Sequence, residues 1–389
     1  PRKVRQRLWR SGTLCGKVNR QHLALAACLI LMLSACGSDE VPAESVAGPP
    51  VVSVGGETLQ GESVGTGAPV VTFKGIPYAA PPIGELRWRP PAPVSPREGL
   101  QSATEYGSAC MQPPDHVPDW YRYLAEVFEQ DQALVPELEP ISEDCLHLNI
   151  WSANFGGDES WPVLVWIHGG GNTSGSPSER PYDGINMSRK GVVVVSFNYR
   201  LNVFGFLAHP ALTAESEHGS SGNYALLDQI AALEWIQKNI AAFGGDPNRV
   251  TIFGESAGAT NIAYLMSSPL ARGLFHGAIM QSGGYAVSEF RTLADAEAVG
   301  DGLAAALGVA DSDDVLSAMR EVDSEDLLRM AVEDHAEWVS GPNVDGWVLE
   351  EAPARVFEAG LQTPVPLLIG FNRDEWTTLG HYWPDTTLA

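Results

Sequence analysis

Short, continuously apolar runs alternate with helical stretches between residues 162 and 372. Five of these runs predict strands: residues 162–167, 191–198, 249–253, 277–283 and 365–372. A strand that is apolar at every position, without alternation, is typical of a parallel sheet that is buried on both faces. The pattern therefore indicates an interior sheet.

A helical period separates the second and third predicted strands. Apolar residues recur there at steps of three and four, at Leu226, Leu227, Ile230, Leu233, Ile236 and Ile240. This spacing predicts a helix, and we expect the segment Gly244-Gly245-Asp246-Pro247 to end it. Residues 290–360 are predicted to be mainly helical. Strand, helix and strand in this order indicate an α/β fold with helices on both faces of a mostly parallel sheet.

The N-terminal segment has a different character. Residues 1–35 contain seven basic and no acidic side chains, and their apolar stretch, residues 23–35, is shorter than the about 20 residues of a membrane-spanning helix. Such a segment predicts a secretory signal. Its exit, Leu33-Ser34-Ala35-Cys36, resembles the bacterial lipoprotein box, in which the cysteine is lipidated. The alternative is a cleaved signal in which Cys36 is incidental.

These features predict three parts of the chain: a signal segment (1–36), a flexible tether (37–50) and one main domain (51–389). We expect an exported protein that is either secreted or lipid-anchored in the bacterial envelope. No acidic residue directly follows Cys36, which favours the outer membrane.

Cysteine usage agrees with export. Cys15 and Cys28 would leave with the signal and Cys36 would carry lipid, so Cys110 and Cys145 remain. In an oxidising compartment these two predict a disulfide. Two free, buried thiols are the alternative.

The overall charge limits the possible partners. The net charge is −24, and all 48 acidic residues follow the basic N-terminal segment. A surface of this sign repels nucleic acids and anionic membranes. Contact with a membrane is therefore expected only through a lipid anchor.

The segment Gly254-Glu255-Ser256-Ala257-Gly258 carries the strongest chemical signal. It lies between a predicted strand and a predicted helix, where a tight turn would present the Ser256 hydroxyl above the sheet. The helix start adds the positive end of its dipole and the free N–H of Ala257. The pattern indicates a nucleophilic serine; a glycine- and serine-containing turn without function is the alternative.

A glycine-rich segment supplies the matching donors. His168, Gly169, Gly170 and Gly171 follow the apolar run 162–167. Glycines let the backbone approach a substrate carbonyl, and each well-placed N–H stabilises the transition state by about 2.7–4 kcal/mol. We interpret His168 as a residue that shapes the loop and not as a base.

Taken together, these segments identify a family resemblance. The chain resembles type-B carboxylesterases, the cholinesterase-like branch of the α/β-hydrolases. The matching stretches follow one another in family order over about residues 50–380: 73–91, 143–151, 166–171, 198–208, 222–229 and 243–259. The resemblance implies the α/β-hydrolase fold, hydrolysis of small-molecule carboxylic esters through an acyl-enzyme, and neither a metal nor another cofactor.

The resemblance also implies roles for individual residues. Ser256 matches the nucleophile, and Glu375 in GFNRDEW matches the acid of a Ser–Glu–His triad. The oxyanion-hole donors match Gly170, Gly171 and Ala257. Cys145 matches a cysteine that pairs with one upstream, here Cys110. Asn172 departs from the family, in which an aromatic residue often follows the glycines.

Three further sites are weaker. Glu255 could line the active site or serve as a structural acid beside it. Ser282 resembles a family serine that supports the triad, although turn chemistry at a strand end is the preferred interpretation. Trp120, Tyr121 and Tyr123 lie between the paired cysteines, where we expect a packed loop and not a ligand-stacking site.

The base of the triad is the part that the sequence does not supply. Family triads run serine, acid, histidine in chain order, and His381 follows Glu375 without an intervening strand. We therefore expect the base to lie beyond these 389 residues, in which case the chain by itself is inactive. The alternative from another functional class is a non-catalytic, cholinesterase-like binding module.

Overall fold

The computed structural model describes residues 48–65, 69–283, 290–331 and 341–375. A compact unit begins at Pro49. The predicted signal segment with Cys36, the tether up to residue 47, and His381 lie outside the described residues.

The described residues form strands and helices in the following order. The strands are β1 (Val51–Val54), β2 (Glu57–Gln60), β3 (Glu62–Val64), β4 (Val70–Pro77), β5 (Leu100–Ser102), β6 (Ala109–Cys110), β7 (Ile141–Ser142), β8 (His147–Ser152), β9 (Trp161–Ile167), β10 (Val193–Phe197), β11 (Gly245–Glu255), β12 (Gly277–Gln281) and β13 (Leu367–Gly370). The α-helices are α1 (His116–Val127), α2 (Ile185–Ser188), α3 (Asn202–Phe206), α4 (Pro210–Glu215), α5 (Tyr224–Asn239), α6 (Ala257–Ser267), α7 (Leu293–Ala306), α8 (Val315–Arg320), α9 (Ser324–Arg329) and α10 (Pro353–Glu358). None of these described helices has the length and the apolar character that crossing a bilayer requires.

An eight-stranded sheet organises the described part of the chain. Its strand order is β13-β12-β11-β9-β10-β8-β4-β3. The strands from β13 to β10 run parallel to one another, and β8, β4 and β3 continue the sheet in antiparallel pairs. The five apolar runs of the sequence are the five parallel strands, so the predicted α/β fold with a mostly parallel sheet is confirmed.

Burial differs between the centre and the end of this sheet. β10 is buried at all five positions, which is the double-sided burial that the apolar runs predict. β13 is exposed at all four positions, with Leu368 at 65% and Ile369 at 55%. The prediction of double-sided burial is wrong for this strand, because it is the end strand of the described sheet and pairs on one side only.

The predicted helix is α5, and it ends earlier than expected. It stops at Asn239, and a 3₁₀ turn (Ile240–Phe243) leads to Gly244, whose φ of 83° reverses the chain. Gly245 is already the first residue of β11. Leu226, Leu227, Ile230, Leu233, Ile236 and Ile240 are all buried, as their spacing predicts.

A disulfide between Cys110 and Cys145 confirms the predicted pairing. It joins the ends of the segment that contains α1, and both cysteines lie in the main hydrophobic core. The segment is therefore attached to the core at both ends.

The register of the parallel strands determines where functional side chains meet. Ile167 of β9 aligns with Gly254 of β11, and Glu255 aligns with Gln281 of β12. Gln281 in turn aligns with Gly370 of β13. The residues that follow these positions therefore lie side by side at the carboxyl edge of the sheet, where open α/β sheets bind their ligands.

Candidate active site

Ser256 occupies the turn between β11 and α6. Its backbone has φ 55° and ψ −123°, a conformation that residues with a side chain rarely adopt. The Ser256 N–H donates to the Gln281 carbonyl at 2.9 Å, and the Thr260 N–H donates to the Ser256 carbonyl at 3.0 Å. The strained turn is thus held from the neighbouring strand and from its own helix.

The two glycines beside Ser256 permit close packing. A Cβ on Gly258 would lie 2.1 Å from the Ile167 carbonyl oxygen, and one on Gly254 would lie 2.7 Å from the same oxygen. Neither position accepts a side chain unless the backbone moves. Because α6 can therefore approach the end of β9, the serine and the glycine-rich segment share one site.

The glycine-rich segment and the next residue form a loop (residues 168–172), which we call the oxyanion loop after the role that the family resemblance implies. A Cβ on Gly169 would lie 3.2 Å from the Ser256 Cβ, so the loop passes directly beside the serine. Gly170 and Gly171 have φ values of 95° and 66°. Among the hydrogen bonds of the described residues, none uses their N–H groups, and Ala257, as the first residue of α6, has no intrahelical acceptor. The sequence predicts these three N–H groups as the oxyanion donors.

His168 is a buried, neutral residue at the start of this loop. Its ring stacks on Tyr199, with ring centroids 4.4 Å apart. Burial lowers the pKa of His168 to about 4. Its Nδ1 lies 2.9 Å from the Gly169 carbonyl oxygen, and a Cβ on Gly175 would lie 2.5 Å from that nitrogen. This packing agrees with the interpretation of His168 as a loop-shaping residue.

Glu375 lies at the same edge of the sheet, beyond β13. Its Oε1 accepts hydrogen bonds from the Ser282 hydroxyl at 2.5 Å and from the Asn372 N–H at 2.6 Å. These two donors, with Ser282 first, lower the pKa of Glu375 and favour its charged form. Ser282 also has a positive φ of 55° at the end of β12. It therefore combines strand-end geometry with support of the carboxylate.

A second acid, Glu255, directly precedes the serine. The surrounding protein raises its pKa to about 7, first by desolvation and then through the charges of Glu375 and Glu179. Glu179 is buried, and burial raises its pKa as well. Glu255 was already a candidate in the sequence, whereas nothing in the pattern around Glu179 indicated that it would lie nearby.

The aromatic residues of the disulfide-closed segment are part of its packing. The Tyr121 hydroxyl donates to Glu179 Oε2 at 2.8 Å. The rings of Trp120 and Tyr123 stack on each other, with centroids 5.8 Å apart. α1 thereby connects the disulfide-closed segment to the acid that lies near Glu255.

Asn172 and Asn261 form a contact that the sequence does not predict. The Asn172 side chain turns inward and pairs with Asn261 of α6. A signal was present, because Asn261 is a polar residue within the otherwise mainly apolar run of α6.

The described residues do not complete a triad. No hydrogen bond of the described part of the chain joins a histidine to Ser256 or to Glu375. Among the same residues, no group of three or more histidine, cysteine, aspartate or glutamate side chains could hold a metal ion. The site thus consists of a strained serine, three N–H donors and a hydrogen-bonded carboxylate.

Comparison with known proteins decides the family. Residues 48–388 match the sequence profile described as the carboxylesterase family. The chain belongs to this family. Its sheet and helices have the α/β-hydrolase fold of the solved carboxylesterases that it matches.

Individual relatives of this carboxylesterase-family chain are similar over most of its length. It is 42% identical over 325 residues to the fumonisin B1 esterase of Sphingopyxis macrogoltabida, and the aligned part covers 82% of this chain and 55% of that protein. It is 40% identical over 311 residues to the para-nitrobenzyl esterase of Bacillus subtilis, covering 78% and 59% respectively. A crystal structure of a Geobacillus stearothermophilus carboxylesterase superimposes with a TM-score of 0.72 at 38% identity, covering 86% of this chain and 64% of that one.

The chain therefore spans less than two thirds of the length of these relatives. The shared part contains Ser256, the oxyanion loop and β9 to β12, since the match to the family profile extends from residue 48 to residue 388.

Proposed function

We propose that this protein hydrolyses carboxylic esters, with Ser256 as the nucleophile. The observation that carries the proposal is the strained Ser256 turn with the oxyanion loop directly beside it. A residue with a side chain holds such a backbone conformation only where the surrounding structure enforces it, and sites of this kind cluster at active centres. Here the turn places the serine next to three N–H donors.

The reaction that fits this geometry is a two-step acyl transfer. The Ser256 hydroxyl attacks the ester carbonyl carbon while its proton passes to a histidine base. The N–H groups of Gly170, Gly171 and Ala257 stabilise the negative oxygen of the tetrahedral intermediate. The intermediate collapses, the alcohol leaves with the proton from the histidine, and water then releases the acid and regenerates Ser256.

Glu375 is proposed as the acid of a Ser–Glu–His triad. The hydrogen bonds from Ser282 and Asn372 keep it charged and fix its direction. A charged carboxylate orients the imidazole of the base and stabilises the imidazolium that forms during the attack. No cofactor enters these steps.

The proposed substrates are small-molecule carboxylic esters as a class. Two of the relatives are named as esterases, one for fumonisin B1 and one for para-nitrobenzyl compounds. What their substrates share is the ester bond, and this is the part that the site recognises through its donors.

We further propose that the protein acts after export, held to the bacterial envelope by lipid on Cys36. The basic segment, the short apolar stretch and the Leu33-Ser34-Ala35-Cys36 exit support this proposal. The disulfide between Cys110 and Cys145 fits an oxidising compartment.

The test uses the protein as its gene encodes it, with p-nitrophenyl butyrate as substrate and a fluorophosphonate as covalent label. We expect the label on Ser256, identified by peptide mass mapping. S256A should lose the label and about a millionfold in kcat, as serine removal does in a comparable triad. E375Q should lose about 10⁴-fold in kcat, because an amide no longer stabilises the charged base.

The exposed Ser53 provides the control S53A, with unchanged rates. Turnover that survives S256A, or a label on another residue, contradicts the proposal.

The 389-residue chain by itself tests the expectation about the base. Negligible turnover of p-nitrophenyl butyrate agrees with a histidine beyond these residues. Rapid turnover that H381A abolishes would identify His381 as the base and show that expectation to be wrong.

A further inference from the structure

The three oxyanion donors come from two separate pieces of the chain. Gly170 and Gly171 belong to the oxyanion loop after β9, whereas Ala257 opens α6 after β11. All three N–H groups must converge on one oxygen at about 2.7–3.1 Å to stabilise it. The relative position of the loop and the helix therefore has to be fixed by contacts between them.

A buried pair of side-chain amides joins these two pieces. The Asn261 Nδ2 donates to the Asn172 Oδ1 at 2.9 Å, and the Asn172 Nδ2 donates to the Asn261 Oδ1 at 3.3 Å. Asn172 is 5% exposed and Asn261 is 0% exposed. Buried amides need such partners, so each side chain satisfies the other and holds it in one orientation.

Each amide of the pair lies close along the chain to one of the proposed donors. Asn172 follows Gly171 in the chain, and Asn261 lies four residues after Ala257, one helical turn along the same face of α6. A shift of either amide therefore moves a donor with it.

Further contacts hold Asn172 in place. Its φ of 59° is unusual for a residue with a side chain, although asparagine tolerates it better than most residues. Its carbonyl accepts the Asn202 N–H at 2.7 Å. The Tyr199 hydroxyl lies 3.5 Å from its Oδ1 and donates to the His168 carbonyl at 2.8 Å. The loop is thus connected at both of its ends to the same buried tyrosine.

We propose that Asn172 and Asn261 are positioning residues, which hold the loop half and the helix half of the oxyanion hole in register. The proposal rests on the proposed ester hydrolysis and deepens it. Both side chains act through the backbone N–H groups of their neighbours and are buried away from the substrate. Asn172 thereby has a role different from that of the aromatic residue that often stands at this position.

The test replaces one amide with a group of the same shape. In N261D the carboxylate has two acceptor oxygens and no N–H, so the Asn172 Oδ1 loses its donor and faces another acceptor. We expect kcat for p-nitrophenyl butyrate to fall by about 10- to 100-fold, because small displacements of a catalytic group cost about this much. KM should change by less than about threefold, since ground-state binding does not depend on these donors. N172D should behave in the same way.

A readout specific to the oxyanion hole separates positioning from a general structural role. In a thionoester, sulfur replaces the carbonyl oxygen of the ester. Sulfur is larger than oxygen and is a weaker hydrogen-bond acceptor. N–H donors that are set for oxygen help it less, so the ratio of oxoester to thionoester rates measures how well the hole is formed. We expect this ratio to fall in N261D. A variant that merely lowers the amount of folded enzyme reduces both rates equally and leaves the ratio unchanged.

The matched control is N223D. Asn223 is likewise buried, and its amide exchanges hydrogen bonds with the backbone of Asn343, apart from the oxyanion loop and from α6. This variant should show a similar loss of thermal stability with an unchanged rate ratio. If N261D does not fold, N261S replaces it, because the shorter hydroxyl side chain breaks the reciprocal pair without burying a charge.

Hydrogen exchange tests the pair without any turnover. Peptides that cover residues 168–176 should exchange faster in N261D than in the wild type and in N223D. Faster exchange together with a lower rate ratio supports the proposal. Wild-type exchange in this segment, or an unchanged rate ratio in a folded N261D, overturns it. A wild-type protein that hydrolyses no ester refutes the proposed function, and the exchange comparison still decides whether the pair holds the loop.

Discussion

Half of the described non-glycine residues with a positive φ lie at the candidate site. Among the described residues other than glycine, positive φ values occur at Asn172, Ser256 and Ser282, which meet at the carboxyl edge of the sheet, and at Trp88, Glu129 and Asn202. Each such residue costs about 1–3 kcal/mol and persists only where its surroundings determine it. Hydrogen bonds between β11, β12 and β13 hold Ser256 and Ser282 in this conformation. The strain is therefore a property of the site's framework.

Glu255 leads to a prediction about pH. Its pKa is raised from 4.5 to about 7 in the folded protein, so folding favours its protonated form. The resulting stability is present below about pH 4.5 and is lost as the pH rises through about 7. The side chain of E255Q does not titrate. Relative to this variant, the wild type should therefore lose stability between about pH 4.5 and about pH 7 and should lose no more above about pH 7. Urea unfolding of both proteins from pH 4 to pH 8 measures the difference.

A constant difference between the wild type and E255Q across this range would contradict the raised pKa. E350Q serves as the control, because Glu350 is exposed at the surface. It should follow the wild type over the same pH range.

Helices and loops are attached to the sheet by buried polar contacts as well as by apolar packing. Arg200, in the segment between β10 and α3, forms a bidentate pair with Asp228 of α5, at 2.8 and 2.7 Å. The Asp228 carboxylate also accepts the Arg200 N–H at 3.0 Å. Both side chains are buried. The pair thus connects the chain beyond β10 to the helix that covers the sheet.

Removing one partner of this pair should destabilise the protein strongly, and removing both charges should destabilise it by less than the sum of the two single changes. R200M leaves the Asp228 carboxylate buried without its partner, for which we expect a loss of about 3–5 kcal/mol in the free energy of unfolding. R200M/D228N should lose less than the sum of the two single variants, because no buried charge remains. Urea unfolding of the four proteins in this cycle measures the coupling. Additive effects would mean that the two groups do not interact.

At the scale of the whole molecule, one domain follows an N-terminal segment of opposite charge. The basic residues of 1–35 contrast with the acidic remainder. The described domain has its candidate functional groups at one edge of its sheet, and the sequence predicts an anchor at Cys36 and a tether (37–50) before it. The proposed lipid anchor and the proposed esterase activity together imply an enzyme that works next to a membrane.

The lipid anchor is tested with matched cysteine variants. In a bacterial host, the full-length protein should incorporate labelled palmitate and sediment with the membrane fraction. C36S should lose both properties, because lipoprotein signals are modified on this cysteine. C28S, which changes a cysteine inside the same apolar stretch, should keep both. Labelling that survives C36S would contradict the proposed anchor.

Much of the fold was predictable because the parallel strands carry their own signal. Apolar runs such as 191–198 are buried in the sheet, and the six residues of the predicted helical period, five of them in α5 and Ile240 just after it, lie in the core. β13 was predicted as a strand, but its exposure was not, because burial depends on which element lies beside a strand. The antiparallel strands β3 and β4 were not predicted, since their residues show no continuous apolar run.

The site was predictable where chemistry depends on local sequence. Ser256, Gly170, Gly171 and Ala257 lie in two short segments whose glycines are needed for tight turns and close approach. Glu375 was assigned through the family resemblance, and its contact with Ser282 joins residues that are far apart in the chain. Glu179 and the Asn172–Asn261 pair were missed, because polar residues give no indication of their partners.

The α/β class, the serine turn, the glycine-rich segment and the cysteine pair could all be predicted, because each depends on the local preferences of a few adjacent residues or on simple counting. The tertiary structure decided which of these groups meet. Strand register brings Ser256, Ser282 and Glu375 to one edge, and desolvation raises the pKa of Glu255 to about 7. Close packing of α6 against the end of β9 brings Ser256 beside the glycine-rich segment. Distances, burial and charge interactions arise only when distant segments pack, and they set the chemistry of the site.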